Sequence, residues 1–167
     1  MISKLNPISP VYKIPVSVLV VIYCAETAQA LLIERADHPG FWQSVTGSLD
    51  TIEEALADAC RREVFEETGI DRPLESFAAL GVVNRYTIYP HWRARYAPGV
   101  TENVEHVFSL SVPLNTAITL NSDEHLHHQW LPFEQAAMSC FSWTNSQAIR
   151  AVADHIIGKH IGLHRAP

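Results

Sequence analysis

Cysteine is scarce in this chain. Cys24, Cys60 and Cys140 are odd in number, far apart and set among apolar residues. That usage excludes a disulfide framework or a cysteine zinc site and reads as reduced, buried thiols in a cytoplasmic protein. Long apolar runs are missing as well: the longest, Val16 to Ala25, falls short of the roughly 20 residues that cross a bilayer. The opening stretch, MISKLNPISPVYK, has no apolar signal core, so neither export nor a membrane anchor is expected. Positive charge is outnumbered, with 12 Lys and Arg against 18 Asp and Glu. This excludes a general binder of nucleic-acid polymers, whose domain would be basic. Low-complexity segments and internal repeats are absent too. What is left is an ordinary globular composition, 47% apolar over 167 residues, enough for one domain with a real core. A small-molecule partner and a monomer are the expectations.

The pattern of elements is α/β. The β-branched run Val16 to Tyr23 predicts a central strand buried on both faces, and Ala30 to Arg35 a second, shorter one. Ala36 to Gly40 reads as a turn. Beyond Asp71-Arg72-Pro73, which breaks the chain, Ala78 to Val83 with Tyr86 to Tyr89 predict a strand or hairpin. Val107 to Val112 is a good strand, Ile118-Thr119-Leu120 extends the sheet, and Gln129-Trp130-Leu131 ends a further strand. Ser142 to Asn145 caps a last helix, whose apolar stripe of Ile149, Val152, Ala153 and Ile156 stops before Gly158. Met1 to Pro10 and Lys159 to Pro167 read as loose ends. The expected architecture is a mixed sheet between two helices.

One of those helices carries the chemistry. In GSLDTIEEALADACRREVFEETGI, Gly47 to Ile70, three carboxylates and an arginine fall within two turns. Thr51-x-x-Glu54 reads as a capping box and Gly69 as the closing residue. At 3.6 residues per turn, Ile52, Leu56, Ala59, Cys60, Glu63 and Glu67 share a stripe, with Glu66 beside it. The face that should press on a core thus turns acidic. Two charges about 5–6 Å apart repel by roughly 3 kcal/mol at an effective dielectric near 20. The helix dipole opposes anions at this end as well. Arg62 offsets part of this; a hard divalent cation, Mg²⁺ or Mn²⁺, would offset more. A solvated acidic face is the bland alternative, and the apolar seam that runs into the carboxylates weighs against it.

This stretch is similar to the Nudix box. From Arg62 to Ile70 it matches Arg-Glu-apolar-x-Glu-Glu-x-Gly-apolar, and counting back places Glu54 correctly. The glycine comes one residue early, Gly47 with Ser48 in the pattern's position, so the loop before the helix is one residue longer. The likeness continues through Lys13, Phe41 to Ser48, Arg95 to Val100, Glu124-His125 and Ser142-Trp143. It runs to the branch of that family that hydrolyses 7,8-dihydroneopterin triphosphate, or dATP, to the monophosphate and pyrophosphate. The resemblance implies an α/β/α sandwich, with Mg²⁺ at Glu63, Glu67 and Glu124. It also implies a triphosphate pocket lined by Lys13, Arg35, Thr46, Tyr86, Thr87, Ile88, Tyr89 and Ser142. Arg62 would orient the glutamates, and Glu66 would be a supporting ligand or general base. A hydrolase of nucleoside triphosphates preferring dATP and a non-catalytic ligand sensor are the alternatives; the intact carboxylate set argues against the sensor.

Two further stretches stay open on the residues alone. Glu124, His125, His127 and His128 are either a polar surface loop, a zinc cluster of unusual spacing, or a loop through which Glu124 supplies one oxygen. Residues 90–104 interleave His91, Arg93 and Arg95 with Trp92 and Tyr96. They form either a solvated loop or an anion site with stacking surface.

Overall fold

The computed structural model describes residues 12–163; the expectation for Met1 to Pro10 lies outside them. Among these residues a mixed sheet is built around β1 (Val16–Cys24). β1 runs parallel to β6 (Glu102–Ser111) and antiparallel to β2 (Gln29–Arg35) and β4 (Val45–Ser48). β2 continues the sheet through β3 (Trp42–Gln43) and β7 (His125–Pro132), and β5 (Phe77–Thr87) lies outside β6.

Alternation along β1 divides the interior in two. Val18, Val20 and Ile22 pack with Ala59, Cys60 and Val64 of helix α1 (Leu56–Thr68). Leu19 and Val21 pack with Ala136 and Ala137 of α2 (Phe133–Ser139) and Ala148, Ile149 and Val152 of α3 (Trp143–Leu163). This is the α/β/α sandwich. No described helix is long and apolar enough to cross a membrane. Cys24 and Cys60 are buried and Cys140 half-buried, all three as free thiols.

Several boundaries differ from expectation. The helix of the acidic motif starts at Leu56 behind Ala55, with no side-chain cap. The capping box is undone because the Glu54 carboxylate accepts from Arg62 at 2.9 and 3.0 Å and from the Asp50 amide. Charge-assisted bonds of this kind outcompete a neutral cap. Ile52 is consequently outside the stripe and 77% exposed. Gly69 does close the helix, at φ 71°, donating to Phe65.

Phe77 to Thr87 is one bent strand rather than a hairpin, with Gly81 at φ 69° where its register against β6 shifts. Ile118 to Leu120 adds no strand. Instead Thr119 and Asn121 donate to the carbonyls of Thr68 and Glu67, satisfying the end of α1. Helix α2 was not foreseen. α3 runs through Gly158 to Leu163, so residues 159–163 are helical, while 164–167 lie outside the described residues.

Candidate active site

A cavity of about 700 Å³ opens on the α3 side of the sheet. Its acidic end is assembled by the tie between Asn121 and Glu67. Having donated to Glu67, Asn121 accepts from the Glu124 and His125 amides at 3.1 and 2.9 Å. A loop more than fifty residues away in sequence is thereby fixed against the end of α1. Ligand atoms of Glu67, Glu124 and His125 fall within 4.8 Å of one another. Glu67 and His125 are buried, and His125 Nε2 is 3.4 Å from Glu67 Oε1. Among the described residues Glu67 Oε2 and both His125 nitrogens have no hydrogen-bond partner.

Glu63 sits one turn earlier, against the backbone of β4. A Cβ at position 47 would overlap the Glu63 carboxyl carbon and both its oxygens. The early glycine is therefore what admits this carboxylate. Burial, and then repulsion from Glu67, push the Glu63 carboxyl up to about 7, with Arg62 opposing. Burial also raises Glu67, with His125 opposing and Glu124 adding to the rise. Arg62 holds Glu54 bidentately, donates to Glu63 at 2.6 Å and to the Ser48 carbonyl at 3.0 Å, and lies 3.5 Å from Glu66. It is a bracket between loop and helix. Glu66 itself is half exposed and lies away from the cavity lining.

All eight residues expected in a substrate pocket, Lys13, Arg35, Thr46, Tyr86, Thr87, Ile88, Tyr89 and Ser142, line this cavity. Ser142 also caps α3, accepting from the Asn145 amide at 3.3 Å. The charge of Arg35 is not free: Asp37 holds it through two 2.8 Å bonds, and its guanidinium lies 4.7 Å from the Trp92 ring centre. Arg95 lines the cavity and reaches Asp37 at 3.1 Å, whereas Arg93 donates to the Ile88 carbonyl and is not on the lining. The loop expected at 90–104 starts as a 3-10 turn, Pro90–Arg95, that stacks Tyr89, His91 and Trp92 near His38 and Phe141. The four-residue zinc cluster does not form, because His127 turns to Glu34 at 2.7 Å.

The sequence reading missed the cavity's floor. Ser17, Asn103 and Glu105 are buried and line it. Asn103 donates to Ser17 Oγ at 2.7 Å and to Tyr86 OH at 3.0 Å, and Asn84 donates to Glu105 at 3.3 Å. Burial pushes the Glu105 carboxyl up, and hydrogen bonds from Asn84, Thr144 and Tyr86 pull it back. The available signal was the alternation of β6, which puts Asn103 and Glu105 on the same face as buried Val107.

The NUDIX domain matches residues 13–152. The chain belongs to the Nudix family. A dihydroneopterin triphosphate diphosphatase of Escherichia coli K12 is 45% identical over 141 residues, 83% of this chain and 92% of that protein. One of Haemophilus influenzae is 38% identical, covering 83% and 87%. The solved structure of the E. coli dihydroneopterin triphosphate pyrophosphohydrolase superposes with a TM-score of 0.77, covering 83% of this chain and 94% of that one. Nudix hydrolases act on small phosphate compounds with a divalent metal, and this Nudix chain carries an acidic cluster of the kind such an ion needs.

Proposed function

We propose that this chain hydrolyses 7,8-dihydroneopterin triphosphate to the monophosphate and pyrophosphate. In this reading Glu63, Glu67 and Glu124 hold the divalent cation, Mg²⁺ with Mn²⁺ able to replace it. The observation that carries the reading is the convergence of Glu67 and Glu124 at one end of a cavity large enough for a bicyclic head group and its phosphates. The relatives named above support the substrate.

The residues fit a hard cation. Among the described residues Glu67 Oε2 is buried without a partner, and burial raises the Glu63 and Glu67 carboxyls although Arg62 opposes the rise at Glu63 and His125 and Arg35 oppose it at Glu67. Bound there, such a cation would supply charge against the phosphate oxygens and polarise water for attack. Arg62 keeps Glu63 aimed by gripping it together with Glu54 and the Ser48 carbonyl. Glu66 acts through Arg62 rather than on substrate. Lys13 and Arg95 balance phosphate charge at the rim, and the Tyr89–Trp92 wall excludes water from the head group. The protein works as a single-domain, cytoplasmic monomer.

Pyrophosphate release tests this reading, measured with dihydroneopterin triphosphate and with dATP, in Mg²⁺ and in EDTA. Monophosphate and pyrophosphate in equal amounts, faster from the pterin and only with metal, are expected. Faster turnover of dATP would move the substrate to a purine; no pyrophosphate from either would overturn the proposal.

A further inference from the structure

A carboxylate sits among the basic residues of a cavity that must admit a polyanion. Asp37 lines it together with Lys13, Arg35 and Arg95, its side chain 33% exposed. Its charge repels phosphate, and the hydrolytic chemistry gives it no task. What it does in the structure is hold guanidinium groups. Its Oδ1 and Oδ2 accept from Nε and Nη2 of Arg35 at 2.8 Å each, and Oδ2 accepts again from Nη2 of Arg95 at 3.1 Å. The bonds from Arg35, against the opposing effect of burial, hold the carboxyl well below the usual carboxylate range, and His38 and Arg95 add to this.

The grip fixes Arg35 from several sides. Its Nη1 donates to Gln43 Oε1 at 3.2 Å, and Gln43, 2% exposed, donates in turn to Thr46 at 3.2 Å. The Trp92 ring centre lies 4.7 Å from the guanidinium carbon. Three of the five guanidinium N–H groups are thereby engaged, and two are left for an anion. Arg95 arrives from 58 residues further along the chain, and its carbonyl accepts from the Lys13 amide at 2.9 Å. One carboxylate oxygen thus seats two like charges side by side. A long side chain held in place beforehand loses less entropy when its ligand arrives. A planar guanidinium gripped along one edge presents its other N–H groups in a fixed direction, which a lysine cannot do.

Resting on the triphosphate reading above, we propose that Asp37 is a positioning residue for phosphate binding: it aims Arg35, and seats Arg95 beside it, before the substrate arrives. Asp37 has no donor to offer a phosphate and acts through the two arginines. Its presence has two opposing effects. Removing its charge would leave the three groups with two net positive charges instead of one, which favours an anion. Removing its grip would free two long side chains and let them repel each other. The second effect is the larger. The charge of Asp37 is already matched by Arg35 in direct contact and is screened by the water that reaches it, whereas the alignment has no substitute.

The test is Asp37→Asn, which keeps the shape, loses the two-oxygen grip and makes the rim more positive. KM for the triphosphate should rise about five- to twenty-fold, with kcat moving less than about three-fold. An Asp37 that acts only as a charge would give a lower KM on removal, and one that only ties down its turn would give an unmoved KM; either result overturns the proposal. The rise should also need the guanidinium groups. With Arg35→Lys and Arg95→Lys in place, adding Asp37→Asn should leave KM level or lower it, and a rise equal to that in wild type overturns action through the arginines. A wild type inactive on every triphosphate would instead sink the hydrolase reading, which keeps the two failures apart. Should Asp37→Asn not fold, ¹⁵N NMR of substrate-free wild type decides the matter. The Arg35 Nε–H signal, assigned by its loss in Arg35→Lys, should be slow to exchange with water; exchange as fast as that of an exposed arginine overturns the proposal.

Discussion

The two ends of the cavity both bury carboxylates, but in opposite company. At the acidic end Glu67 lies close to Glu124, with Glu63 one turn earlier on α1 and off the cavity lining; burial makes Glu63 and Glu67 harder to ionise, and repulsion, from Glu67 on Glu63 and from Glu124 on Glu67, adds to it. On the floor Glu105 faces amides and hydroxyls, which make ionisation easier against the opposing effect of burial. The first arrangement is short of positive charge. The second already has neutral donors, from Asn84, Thr144 and Tyr86.

The largest effect should come from removing charge at the acidic end. Glu67→Gln should lower metal-dependent kcat on the order of 10³-fold or more while leaving the fold intact or slightly more stable, since it deletes one of the repelling carboxylates. Pyrophosphate release and thermal melting read both halves. A fully active or unfolded variant would break the contrast between the two ends.

The same crowding should appear in the metal-free protein as a dependence of stability on pH. A carboxyl with a folded pKa of about 7 against 4.5 unfolded keeps its proton longer in the folded state. Stability is then full below about pH 4.5, declines as pH rises through the folded value, and levels off above it. Glu63 alone accounts for about 3 kcal/mol of decline. Urea melts in EDTA across this window should show the fall, and saturating Mg²⁺ or Glu63→Gln should flatten it. Equal slopes with and without metal would mean that the acidic end needs no cation.

Gly47→Ala tests whether the early glycine makes room for Glu63. The added methyl would occupy the place of the carboxylate, so Glu63 or the strand must shift, at about 1–3 kcal/mol of stability. Metal affinity measured by calorimetry should fall with it.

The acidic end was legible in the sequence because its residues are local. Arg62 to Gly69 is one uninterrupted segment, and helical spacing alone puts Glu63 and Glu67 on the face of Cys60. The central strand and the closing role of Gly69 were legible for the same reason. Thr51 was misread because a capping box is judged within four residues, whereas Glu54 is claimed by Arg62 eight residues on. The floor was not legible. Ser17, Asn84, Asn103 and Glu105 come from three strands and meet only through cross-strand register. Asp37 was hidden likewise: nothing in a turn cluster says that it will hold both Arg35 and Arg95.

The smallest expected effect concerns those arginines and sharpens the comparison at the cavity rim. Arg35, Arg95 and Asp37 together carry one net positive charge, and Asp37 spends both oxygens on Arg35. Arg95, 45% exposed and held by a single 3.1 Å contact, is the guanidinium better able to turn to phosphate. An exposed pair of this kind contributes only about 1 kcal/mol or less. Arg95→Ala should thus raise KM for the triphosphate a few-fold, with kcat and melting temperature nearly unchanged, and the difference should shrink in high salt. Arg93 points the other way, onto the Ile88 carbonyl. Arg93→Ala should lower the melting temperature by a few degrees at most and leave KM alone. Were Arg93→Ala to raise KM and Arg95→Ala not, the phosphates would lie on the opposite side of the Pro90–Arg95 turn, and the rim would need to be redrawn.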